Sequence, residues 1–159
     1  MTVKEARSAC GISQKEAAAL AGMSLRSYHS YENDPEKTGT IKYQYLLNLL
    51  SEQCRIDETH GILSVDQIRD KCTEVFRGKD VDYCYLFGSY AKGNPGEQSD
   101  VDLLISSGIM GIRYYSLVEE LRTVLKKKVD LLDLKQLDGN QKLLDEILKY
   151  GVKIYAREE

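Results

Sequence analysis

The sequence has no Cys-x-x-Cys pair, no internal repeat, and no apolar stretch approaching the about 20 residues that span a bilayer. Its start carries no apolar run of the kind a secretion signal needs. Membrane insertion and export are thereby argued against, and the expectation is a cytoplasmic protein with no membrane contact. Cys10, Cys54, Cys72 and Cys84 lie far apart, each in or beside an apolar pattern. That spacing argues against a zinc site or disulfides and predicts buried free thiols in a reducing cytosol. Strong positive charge is missing too: the 159 residues sum to −3, which excludes a chain that coats nucleic acid along its whole length. The deficit is uneven, because residues 1–50 hold six Lys/Arg against five Asp/Glu and the remainder carries −4. Only the first part suits a phosphate backbone. With 42% hydrophobic residues there is enough apolar material for a core, so disorder is excluded as well.

What is present centres on residues 82–105, DYCYLFGSYAKGNPGEQSDVDLLI. The run Tyr83–Phe87 has the length and β-propensity of a buried strand, and Gly88-Ser89 breaks it at once. A loop with Gly93, Pro95 and Gly96 follows, and Asp100-Val101-Asp102-Leu103-Leu104-Ile105 then alternates carboxylate with aliphatic. Side chains on a strand repeat every two residues, so Asp100 and Asp102 are expected on one face. Two adjacent carboxylates on a half-buried strand repel each other and lose hydration, which is costly unless a cation neutralises them. A hard divalent ion held through oxygen fits, and magnesium is the common choice beside phosphate.

Gly88-Ser89, ten intervening residues and Asp100-x-Asp102 resemble the signature of the minimal nucleotidyltransferases of the DNA polymerase β superfamily. The resemblance implies an α/β fold with a small mixed sheet and transfer of AMP from ATP. Gly88, Ser89 and Lys92 would bind nucleotide, Lys92 standing where relatives have arginine. Asp100, Asp102 and a third carboxylate on a neighbouring strand would be catalytic and hold two Mg2+ ions about 4 Å apart. The third is assigned to Asp130, because apolar residues flank it in VDLLDL whereas Asp133 sits at the strand exit. Relatives of this kind are antitoxins encoded beside HEPN-domain ribonuclease toxins, and they modify a tyrosine of the toxin. The resemblance therefore implies a toxin partner. Two alternatives stand beside it: a non-catalytic antitoxin that acts only as a repressor, and a nucleotidyltransferase for a small molecule such as an antibiotic.

The N-terminal part reads as short helices. One runs from Val3 to Cys10, and Ser13 with Glu16 forms a capping box for the next. Ser24 caps a third, LRSYHSYEN, which ends near Asp34-Pro35. Two short helices around Ala21-Gly22-Met23 make a helix-turn-helix. Ile12, Ser13, Gln14, Ala18, Gly22, Ser24, Glu32 and Asn33 fall where the Xre/Cro repressor family has matching residues, so this part resembles its DNA-binding domain. By that resemblance Leu25, Arg26, Ser27, His29 and Ser30 face the major groove, with Gln14 touching phosphate or base. Operator DNA is the implied partner, read by a homodimer or a toxin–antitoxin hetero-oligomer. Tyr28 and Tyr31 are expected in the core.

Residues 41–51 predict a further helix, and the polar segment 53–61 a boundary. The expected organisation is an all-α helix-turn-helix domain over 1–56 and an α/β nucleotidyltransferase domain over 62–159. Within the second, Ser64 caps a helix with Val65, Ile68, Cys72, Val75 and Phe76 on one stripe. Residues 112–126 predict another, lined by Ile112, Tyr115, Val118, Leu121 and Leu125. Lys126-Lys127-Lys128 reads as its solvated end, and a helix over 141–150 leads through Gly151 to a last strand.

Overall fold

A computed structural model describes all 159 residues, which divide into two compact units, Met1–Arg55 and Ile56–Glu159. The first is all helical: α1 (Val3–Ala9), α2 (Gln14–Leu20), α3 (Leu25–Asn33), a 3-10 turn (Pro35–Lys37) and α4 (Ile41–Gln53). Thr2, Ser13, Ser24 and Thr40 each accept a hydrogen bond from the amide three residues on, and Thr2 with Glu5 and Ser13 with Glu16 complete capping boxes. Thr-x-x-Glu at the start of the chain was a legible signal for the first of these. Val3, Ala6, Ala17, Ala18, Tyr28, Tyr43, Leu46 and Leu50 form the core, with Tyr31 packed against it. Tyr28 is therefore a core residue, as its spacing implies.

One expectation fails in this unit. Cys10 and Cys54 are joined as a disulfide, with Cα atoms 5.1 Å apart across 44 residues of chain. Helices α1 and α4 pack side by side and bring their C-terminal ends together, which sequence separation conceals. Cys72 and Cys84 are free and buried, as expected of all four.

The second unit runs α5 (Val65–Phe76), β1 (Val81–Phe87), α6 (Gly88–Lys92), β2 (Val101–Ser107), α7 (Ile112–Leu125), β3 (Val129–Asp133), a 3-10 turn (Leu134–Leu137), α8 (Gln141–Tyr150) and β4 (Val152–Ala156). The four strands lie in the order β3-β2-β1-β4, antiparallel except for β2 with β3. That is the small mixed sheet the sequence implies. Odd residues of β2 (Val101, Leu103, Ile105) enter the main core with α5 and α7, while Leu104 enters a second cluster with Phe87, Leu137 and Ile147. The sheet is thus covered on both faces, and Asp102 stands on the α8 side with Leu104.

Three readings of this unit need correction. Ile112 and Tyr115 are 82% and 71% exposed, because the first turn of α7 lies outside the core, whereas Leu121 and Leu125 are buried and Val118 packs on the core as expected, with Leu117 buried beside them. Lys127 is not solvated: it is 1% exposed and donates to the carbonyls of His60 and Glu97, and burial pushes its pKa down. Asp133, thought to need no special reason, is 7% exposed and has one. It accepts a hydrogen bond from Ser107 Oγ at 2.7 Å and caps the following 3-10 turn.

Candidate active site

β1 ends at Phe87 and the chain turns directly into α6, so no separate loop intervenes at Gly88-Ser89. Tyr90, 2% exposed, anchors this five-residue helix in the main core. Register then assembles the site. Phe87 pairs with Asp102 across β1 and β2, and Asp102 pairs with Asp130 across β2 and β3. Gly88, Asp102 and Asp130 come together because the sheet lines them up in adjacent strands. Asp100 lies one residue before β2 rather than in it.

Gly88 has φ +70°, and a Cβ there would lie 2.1 Å from Asp102 Oδ2. The missing side chain makes room for the carboxylate of Asp102, a role sequence reasoning gave to nucleotide approach. Asp102 is half-buried, and its pKa is pushed up to about 6, first by desolvation and then by the charges of Asp130, Asp100 and Glu146. A carboxylate held among three others is electrostatically unsatisfied as it stands. No three His, Cys, Asp or Glu side chains are drawn to metal-holding spacing. The donor set is nonetheless all carboxylate oxygen, the chemistry that suits magnesium.

Glu146 is the site residue that sequence reasoning missed. It lies on α8 beside Ile147, and its carboxylate meets Lys92 Nζ at 2.6 Å. The available signal was a glutamate three residues after Leu143, on the flank of the helix's apolar stripe, whereas Asp145 points away and is exposed. Lys92, expected on nucleotide, is therefore paired with Glu146, and its ammonium also sits 5.4 Å from the centre of the Tyr150 ring.

In the first unit, Leu25, Arg26 and His29 stand exposed along α3, and Ser27 is half-buried beside them. Two other expected DNA contacts are engaged within the fold. Ser30 Oγ accepts from Lys37, and Gln14 Nε2 donates to Glu32 Oε2 at 2.6 Å. Arg7 Nε completes that network by donating to Glu32 Oε1 at 2.6 Å. Burial disfavours the Glu32 charge, but Arg7 and Gln14 outweigh it and hold the carboxyl below its ordinary pKa.

Comparison with known proteins follows this division. Residues 70–159 match the family described as "Polymerase beta, Nucleotidyltransferase", and residues 3–45 match "Helix-turn-helix". No curated protein matches the chain. Among solved structures, a toxin–antitoxin with AMP-PNP is similar at 24% identity and TM-score 0.48, over 57% of this chain and 74% of that one. A tri-AMPylated Shewanella oneidensis HEPN toxin in complex with MNT antitoxin is similar at 22% identity and TM-score 0.45, over 58% and 73%. A putative nucleotidyltransferase from Sulfolobus solfataricus is similar at 23% identity and TM-score 0.40, over 60% and 82%.

Proposed function

Starting from the fact that the chain belongs to the polymerase beta nucleotidyltransferase family, we propose that it is an ATP-dependent adenylyltransferase acting as the antitoxin of a HEPN-type pair. The observation that carries the catalytic reading is the strand register that sets Asp102 between Gly88 and Asp130, leaving it beside the negative charge of Asp130 and Asp100. A site that stores such repulsion invites a cation. Asp100, Asp102 and Asp130 would hold magnesium, which would neutralise the triphosphate and make the acceptor hydroxyl more acidic. Gly88 and Ser89 at the start of α6 present backbone amides and a hydroxyl for the β- and γ-phosphates. Asp130, exposed at the rim, takes the proton of the incoming hydroxyl. That oxygen bonds to the α-phosphorus, the bond to the bridging oxygen breaks, and pyrophosphate leaves.

The acceptor follows from the motif's resemblance to antitoxins of this class: a tyrosine of the cognate toxin. The helix-turn-helix unit suits repression of the pair's own operon. Its exposed Arg26 carries the guanidinium fork that matches a guanine edge, and His29 lies one turn along. A net charge of about +1 makes non-specific attraction weak, so two copies, alone or joined by toxin, would read two half-sites about 34 Å apart.

Radiolabelled ATP with purified toxin tests the chemistry. Label should pass to the toxin with magnesium, and Asp100→Asn or Asp102→Asn should abolish transfer while keeping the fold. Transfer by the double mutant at the wild-type rate would end the catalytic reading. For the repressor role, the operon's upstream DNA should shift in preference to random duplex, and Arg26→Ala should weaken that shift by roughly 1 to 3 kcal/mol. A fragment that shifts no better than random duplex would leave the helical unit as a docking module.

A further inference from the structure

We propose that Glu146 and Tyr150 form a clamp on α8 that holds the Lys92 ammonium until a nucleoside triphosphate displaces it, so that α8 sets nucleotide affinity. The inference rests on the reading of this site as a triphosphate site, and it adds an element that the nucleotidyltransferase motif does not contain. Glu146 and Tyr150 are four residues apart and therefore neighbours on one helical face. Both meet the same ammonium, the carboxylate at 2.6 Å and the ring centre at 5.4 Å. Lys92 closes α6, the helix that begins at Gly88, so the clamped charge lies one turn from the expected phosphate position. α6 packs against both α8 and β2, the strand that carries Asp102, which places the clamp beside the carboxylate cluster and not on a remote surface.

The clamp is built to yield. Lys92 and Glu146 are 38% and 35% exposed, and an ion pair that open to water is weak. A triphosphate carries more negative charge than one carboxylate and can take the ammonium from it. Glu146 thus opposes binding by occupying Lys92. Its carboxylate holds the Lys92 pKa above the ordinary value, so the lysine is a full cation when the exchange occurs.

Isothermal titration of the full chain with the magnesium complex of AMP-PNP tests this, with thermal melts to confirm folding. Glu146→Gln should tighten binding about two- to fivefold, and Tyr150→Leu should tighten it less. In a Lys92→Met background the gain from Glu146→Gln should fall below about twofold. Equal gains in both backgrounds would overturn the clamp, since Glu146 would then be acting as general negative charge. Weaker binding by Glu146→Gln would overturn it also, because the carboxylate would be serving the bound nucleotide or its cation. If AMP-PNP binds neither the wild type nor any variant, the triphosphate reading itself falls, and the clamp with it.

Discussion

At the scale of single residues, Asp102 is where function and stability pull in opposite directions. Its pKa rises from 3.8 to about 6 through desolvation and then through Asp130, Asp100 and Glu146. An acid whose pKa rises on folding binds its proton more tightly when folded. Its contribution is therefore most favourable below about pH 4 and is lost as pH climbs through about 6. At pH 7.5 without divalent ions, Asp102→Asn should stabilise the protein by on the order of 1 to 3 kcal/mol, each pKa unit being worth about 1.4. The gain should vanish near pH 4. Denaturant melts of both proteins at the two pH values check it, and a mutant no more stable at pH 7.5 would mean that Asp102 is not strained.

At the scale of elements, β3 carries two carboxylates with opposite duties. Asp130 is exposed beside Asp102 in register, whereas Asp133 accepts from Ser107 Oγ and from the Lys135 amide. Removing Asp133 strands a buried hydroxyl and uncaps a turn. Asp133→Ala should cost roughly 1 to 3 kcal/mol, from the lost cap and hydrogen bond together. Asp130→Ala should leave stability within about 0.5 kcal/mol and stop ATP-dependent transfer. Melting curves and the labelling assay run side by side separate the two. Equal losses of stability would show that the exposed carboxylate also holds the strand. Flanking apolar residues misled the sequence reading here: they locate a strand, but burial at a given position depends on which element covers it.

At the scale of the whole molecule, the two units are held by different means. The Cys10–Cys54 bond closes 44 residues, most of the Met1–Arg55 unit, and a cross-link over that length contributes about 4 kcal/mol. In the Ile56–Glu159 unit, burial pushes the Cys72 thiol up to about 12 and Cys84 well above its ordinary value, so neither is a ready nucleophile. Reductant should thus lower the melting of the helical unit by at least about 15 °C and leave the α/β unit unchanged. Calorimetry with and without reductant reads both transitions. An unmoved first transition would mean that the helical core carries the unit without the bond. No helix in either unit is long and apolar enough to cross a membrane.

Local signals were enough for the order of the longer elements, though not for α6 or the 3-10 turns, and for the helix caps at Ser13, Ser24 and Ser64, the break at Gly88 and the strand bearing Asp102. A cap is written within four residues, a strand within two-residue alternation, and a glycine turn in one position. The family of the α/β part was legible for the same reason, since its motif lies within fifteen consecutive residues. Tertiary structure alone decided that Cys10 meets Cys54, that Lys127 is buried, that Asp133 is a structural carboxylate and that Glu146 closes on Lys92. Each of these joins groups that the register of the sheet, or the packing of one element on another, brings together from distant parts of the chain. Neither quantity leaves a period in the sequence, because both are set by which surfaces the packed core allows to meet.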